Sequence, residues 1–200
     1  MTPSKHVPIW EQESDTAQPT LGMNPKKFSM WLFMITVVMI FASLTSGYIV
    51  RKAEGNWVDF ELPPIFWVTT AILLLSSVTM HLAFLNARKD NITLVKGYML
   101  ITSLLGVSFL IAQYYSWVYL VNINVYFSGS NVAGSFLYVI TGLHALHLVS
   151  AIIFLLWITV DAYQYRVHAK NLLPIELCTT YWHFLDGMWL FLFAFLMYFH

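Results

Sequence analysis

Six strongly polar side chains interrupt the long apolar stretches of this sequence, and they are the residues that could do chemistry there. They are His81, Gln113, His144, His147, His183 and Asp186. Neutral imidazole is the commonest metal ligand in proteins and also binds haem iron. An ionisable group within an apolar stretch can relay protons. Metal or haem ligation and proton transfer are therefore the two chemistries to weigh first.

The composition of the chain places these side chains in a membrane. Of its 200 residues, 58% are hydrophobic and only 10% are charged, whereas about 25% of the residues in a typical soluble domain are charged. The formal charge is zero, so neither nucleic acid nor an acidic surface is an expected partner. The single cysteine excludes an internal disulfide and a cysteine-cluster metal site. We expect a multi-pass membrane protein.

Five apolar runs are long enough to cross a bilayer as helices. They cover residues 28–50, 65–85, 97–121, 136–160 and 177–199. The sequence therefore predicts an all-α membrane protein, with a five-helix transmembrane bundle over residues 28–200 and a flexible polar tail over residues 1–27. Lysine and arginine are concentrated in the tail and in the second and fourth connections. This distribution predicts a cytoplasmic N-terminus and a C-terminus on the periplasmic, or outer, side.

The depth of each polar side chain limits what it can bind. Counting from the inner edge of each span places His81 and His183 about 7 Å deep, Asp186 about 12 Å, and His144 and His147 about 20 Å or more. His81 and His183 match in depth, which leaves open an independent membrane protein that binds haem through two histidines or reacts with quinone. Spans one to four contain no Asp or Glu to continue a proton relay. Hydrogen bonding between helices is the simpler interpretation of these groups, with Asp186 held by His183 or by a neighbouring helix.

Several segments of the chain resemble subunit III of the haem–copper oxidases, the cytochrome c oxidase subunit III family. The last span contains YWHFLD at 181–186, with Glu176 five residues upstream. The fourth span contains TGLHALH at 141–147, which is close to the family's TGxHGLH. The sequences ELP at 61–63 and LLLSS at 73–77 are similar to the family's second span and the residues before it. With five spans, the chain resembles the shorter bacterial form of the family.

Two carboxylates that are usual in this family are absent. The first span commonly carries a glutamate, and here Val37 stands at that position in MWLFMITVVMIF. The third span commonly reads QxxEW, and here Ser116 replaces the acid in QYYSW. The proton relay or carbodiimide reactivity that the family assigns to the first glutamate therefore does not carry over to this chain.

The resemblance implies a non-catalytic subunit of a terminal oxidase, a cytochrome c oxidase of the respiratory chain, with a quinol oxidase left open. It implies subunits I and II as partners, with the haems and copper in those subunits, no cofactor or metal ligand in this chain, and structural phospholipids bound to it. The expected location is the bacterial inner (plasma) membrane, and membership of a larger respiratory supercomplex stays open. No catalytic residue is expected. The residues that the resemblance assigns to lipid or subunit contacts are His144, His147, Glu176, Tyr181, Trp182, His183 and Asp186.

Overall fold

The computed structural model of the chain describes residues 24–54, 63–127, 132–163 and 172–199. Within those ranges it contains five α-helices: α1 Pro25–Ala53, α2 Ile65–Arg88, α3 Ile92–Asn122, α4 Val132–Tyr163 and α5 Leu173–Phe199. Each helix is long and apolar enough to cross a membrane. The predicted fold class, an all-α protein with five membrane-spanning helices, is confirmed. Residues 1–23, most of the predicted tail, lie outside the described ranges.

The helices extend beyond the apolar runs that predicted them. α1 begins at Pro25, where the proline occupies the first helical position and the side chain of Asn24 accepts a hydrogen bond from the Lys26 backbone N–H at 3.1 Å. Both features are favourable at a helix start. α3 likewise begins at Ile92, ahead of the apolar run that starts at residue 97. The apolar run marks the part of a helix that lies in hydrocarbon, whereas the backbone hydrogen bonds of the helix continue into polar sequence.

α4 and α5 form the centre of the bundle, since each packs against three other helices. α5 packs against α1, α2 and α4, and α4 packs against α1, α3 and α5, while α3 packs between α2 and α4. A short turn joins α2 to α3, and Asp90 in this turn adopts the left-handed backbone conformation, with φ of 57°. Among the described residues, α1 contacts α4 and α5 but neither α2 nor α3. The first helix of the chain is therefore held in the bundle by the last two.

The contact of α3 with the side chains of Trp182 on α5 and Ile152 on α4 depends on Gly106. A Cβ atom at this position would lie 2.9 Å from Cη2 of Trp182 and 3.2 Å from Cδ1 of Ile152. Trp182 is fully buried, so its indole occupies the space that a larger residue at position 106 would need. Small residues commonly permit such contacts between membrane helices.

Candidate functional site

Two buried tryptophans of α5 join it to α2 through hydrogen bonds. Trp182 Nε1 donates to Ser76 Oγ at 3.1 Å, and Trp189 Nε1 donates to Thr70 Oγ1 at 3.0 Å. Each hydroxyl in turn donates to a carbonyl of its own helix at 2.7 Å. Because every polar atom in these pairs is satisfied, the two tryptophans can be buried in the bundle at little cost.

The same seam between α2 and α5 carries a second polar cluster. His183 Nδ1 is hydrogen-bonded to Ser77 Oγ at 2.7 Å, and the ring centroids of His183 and His81 are 5.9 Å apart. The predicted match in depth between these histidines is confirmed. The Ser77 hydroxyl also lies beside the Asp186 carboxyl, but neither carboxylate oxygen has a hydrogen-bond partner in the described ranges. Of the two expected partners of Asp186, His183 makes no hydrogen bond to it, because its bonded nitrogen is used by Ser77, whereas the neighbouring helix α2 places the Ser77 hydroxyl beside the carboxyl.

Tyr181 and His147 lie where α1, α4 and α5 meet. The Tyr181 hydroxyl is hydrogen-bonded to Ser150 Oγ at 2.8 Å, and its ring contacts Phe33 edge-on at 5.6 Å between centroids. His147 Nδ1 bonds to a carbonyl one turn earlier in its own helix at 2.7 Å. Its ring lies 5.8 Å from that of Phe41. The predicted bond between helices is therefore wrong for His147, whose contacts with α1 are made by ring packing.

His144 lies in the core, between Trp189 of α5 and Phe109 of α3. Its ring centroid is 5.0 Å from that of Trp189 and 5.8 Å from that of Phe109. Neither ring nitrogen has a hydrogen-bond partner among the described side chains and backbone, so the predicted bond between helices is absent here as well. Gln113 and Ser116 on α3 are also fully buried with unpaired polar atoms.

α1 is attached to α5 near both ends. At one end, Lys27 Nζ lies 2.7 Å from Glu176 Oε1, with both side chains more than a third exposed. Glu176 stands in the first turn of α5, where a negative charge is favourable. At the other end, Lys52 Nζ donates to the Phe199 carbonyl. Between these ties Val37, at the position where the family usually has a glutamate, is only 1% exposed.

A partly open groove of about 620 Å³ runs between α1 and α5. Small residues on both helices create it, including Ala42, Ser46 and Gly187. A Cβ atom added to Gly187 would meet nothing within 4 Å. His183 lines the groove on its polar side, and Phe191 belongs to its apolar lining. The volume is in the range of ligand pockets in proteins.

The predicted site residues thus surround α5 without forming one pocket. His183 lies between α2 and the groove, Asp186 lies beside Ser77 of α2, Tyr181 packs with α1 and α4, and His144 lies in the core. In the part of the chain that the structure describes, no group of three or more His, Cys, Asp or Glu side chains could hold a metal ion. The sequence reasoning missed Ser77 and Ser150 as partners, since serine is common in membrane helices and its spacing alone names no partner.

Comparisons with known proteins agree on one family. The model of the family described as cytochrome c oxidase subunit III matches residues 14–200. The chain is 30% identical to cytochrome c oxidase subunit 3 of Alkalihalophilus pseudofirmus over 189 residues, which cover 90% of each chain. It is 29% identical to cytochrome bo(3) ubiquinol oxidase subunit 3 of Buchnera aphidicola subsp. Schizaphis graminum over 177 residues, covering 86% of this chain and 93% of the relative. It is 28% identical to cytochrome c oxidase subunit 3 of Bacillus sp. (strain PS3) over 180 residues, covering 88% of this chain and 86% of the relative.

These matches do not favour the alternative of an independent haem- or quinone-reactive protein. They agree with the fold, in which five helices suited to a membrane carry the motifs that first indicated the resemblance. Together with the family match over residues 14–200, they show that the chain belongs to the cytochrome c oxidase subunit III family, whose members are accessory subunits of haem–copper terminal oxidases.

Proposed function

We propose that this subunit supports the catalytic subunit I of its oxidase from the lipid side and holds a phospholipid acyl chain in the groove between α1 and α5. The observation that supports this proposal is the groove itself. It is lined mainly by apolar side chains and belongs to a chain whose helices cross a membrane. An acyl chain is the most abundant apolar ligand in that environment.

The seam between α2 and α5 is the face that we assign to subunit I. His81 on α2 is exposed, and its ring lies 5.9 Å from that of His183, which precedes Asp186 by one turn of α5. A polar side chain in contact with hydrocarbon costs free energy, so such groups usually face protein in the assembled complex. Side chains of subunit I would supply hydrogen bonds there. Subunit II, structural lipids and membership of a larger respiratory assembly remain expectations from the family resemblance.

The membrane and orientation are proposed on the charges at the helix ends. Lys26 and Lys27 begin α1, and Arg88 and Lys89 end α2. The ion pair between Lys27 and Glu176 shows that α5 begins at the same end of the bundle. Basic residues favour the cytoplasmic side, so this end faces the cytoplasm of a bacterial cell and the subunit spans its plasma membrane.

Filling the groove tests its occupant. Gly187→Leu adds a side chain at a position that lines the groove and where an added Cβ would meet nothing within 4 Å. We expect the purified oxidase to retain this subunit and to lose one tightly bound phospholipid per complex, as counted by mass spectrometry of extracted lipid. Gly97→Leu is the control, because Gly97 is also exposed with nothing within 4 Å of an added Cβ, and it lies on α3 outside the groove.

Two results would contradict the acyl-chain assignment. An unchanged phospholipid count in the Gly187→Leu complex would show that no tightly bound lipid uses the groove. Loss of this subunit from the Gly187→Leu complex but not from the Gly97→Leu complex would show that the groove receives a protein helix.

A further inference from the structure

Three buried side chains in the core leave polar atoms unpaired at one level of the bundle. They are Gln113 and Ser116 on α3 and His144 on α4, each at most 1% exposed. The amide oxygen and nitrogen of Gln113, the Ser116 hydroxyl and both ring nitrogens of His144 have no hydrogen-bond partner within the described ranges. Unpaired buried polar groups are rare in proteins and call for an explanation.

The contacts between α3 and α4 place Gln113 near His144, and Ser116 lies three residues after Gln113, where side chains of a helix are neighbours. Trp117 Nε1 donates to Thr141 Oγ1 at 3.1 Å, which sets the register of the two helices. One turn before Trp117 on α3 lies Gln113, and one turn before Gln113 lies Phe109, whose ring contacts His144. Gln113 therefore stands between two positions of α3 that touch the His144 region of α4.

We propose that one or two ordered water molecules are bound between α3 and α4 by Gln113, Ser116 and His144. The hydrogen-bonding groups of these three side chains favour water as the ligand. An amide, a hydroxyl and a neutral imidazole offer both donors and acceptors, and water is the small ligand that can complement both. Buried waters typically make about three hydrogen bonds to otherwise unsatisfied groups.

Other ligands fit this set poorly. His144 is the one strong metal ligand among the three, and a stable metal site needs more such ligands. An anion would need a positive charge, whereas the rings of Phe109 and Trp189 cover His144 from two sides. A small neutral molecule with both hydrogen-bonding roles meets each requirement.

The direct test is a high-resolution cryo-electron microscopy map of the purified oxidase complex that contains this chain. We expect density for water within hydrogen-bonding distance of Gln113 and His144. A map in which the Gln113 amide bonds directly to His144, with no density between them, would overturn the proposal.

A pair of variants tests the same site without a map. The longer amide side chain of Ser116→Gln can enter the space held by water and replace its hydrogen bonds. Ser76→Gln is the matched control, because Ser76 is equally buried but its hydroxyl is already bonded to Trp182 and to a carbonyl of its own helix. We expect Ser116→Gln to keep the wild-type ratio of this subunit to subunit I in the purified complex, and Ser76→Gln to reduce that ratio several-fold. Equal losses in both variants would show that the Ser116 site has no room for a ligand and would overturn the proposal.

Discussion

Gly106→Ala is expected to destabilise the bundle, although alanine is the better helix former. The new Cβ atom would lie 2.9 Å from Cη2 of Trp182 and 3.2 Å from two side-chain carbons of Ile152. Ordinary contacts between carbon atoms are about 3.5–4.0 Å. Either the helices or the indole must therefore move by about 0.6–1.1 Å, taking the difference between those distances.

The indole of Trp182 cannot move freely. It is fully buried and donates to Ser76 at 3.1 Å. Overpacking of this kind costs about 1–3 kcal/mol, and loss of a hydrogen bond between membrane helices adds about 0.6 kcal/mol. The gain from replacing glycine by alanine in a helix is about 0.5–1 kcal/mol. The balance is a loss of about 1–3 kcal/mol in the free energy of unfolding, by these same increments.

Gly97→Ala is the matched control, because it makes the same change on the same helix. An added Cβ at Gly97 meets nothing within 4 Å, so only the helical gain of about 0.5–1 kcal/mol should remain. Tryptophan fluorescence during denaturant or thermal unfolding of the purified chain in detergent measures both variants. We expect the midpoint to fall for Gly106→Ala and to rise slightly for Gly97→Ala. If Gly106→Ala raises the midpoint as much as Gly97→Ala does, the contact between Gly106 and the Trp182 side chain is not rigid, and the expected loss of stability is wrong.

Three further predictions concern the polar residues of the bundle. Trp189→Phe removes the hydrogen bond to Thr70 and part of a buried ring, and should lower the unfolding midpoint of the purified chain; a midpoint equal to that of the wild type would show that the bond contributes nothing. A carbodiimide should not label α1, since that helix contains no carboxyl group, whereas Val37→Glu should create a labelled position; mass spectrometry of peptides from the treated oxidase decides this. Asp186→Asn should leave haem content unchanged and should not lower the unfolding midpoint of the purified chain, because neither carboxylate oxygen has a hydrogen bond to lose within the described residues; a clear fall in the midpoint would contradict this.

The number and order of the helices could be predicted from the sequence because the backbone N–H and C=O groups of each span must be hydrogen-bonded within that span in hydrocarbon. An apolar run that is long enough to cross the bilayer therefore forms a transmembrane helix. Helix ends were predicted less well, since Pro25 and Ile92 begin helices in polar sequence. Hydrogen bonds and caps determine those ends, and hydropathy does not report them.

Partners of the polar side chains could be predicted only in part. Depth correctly paired His81 with His183, because depth depends on sequence position alone. His144 and His147 differ in their surroundings although they are three residues apart, since a rotation of about 60° around the helix separates the core from the edge of α1. The side of α4 that faces α1 depends on which helices are neighbours. The sequence does not show that α1 packs against α4 and α5.

The late position of the partners of α1 along the chain has a consequence for biosynthesis. Of the five helices, α5 is the last to leave the ribosome, and α1 is the first. Since α1 contacts only α4 and α5 within the described chain, it has no packing partner among the described helices until α4 has been made. In a chain that stalls before α5, Ser76, Thr70 and Lys27 would lack the side chains of α5 that they bind in the complete bundle. Membrane proteases would recognise such an incomplete product by these unpaired polar groups.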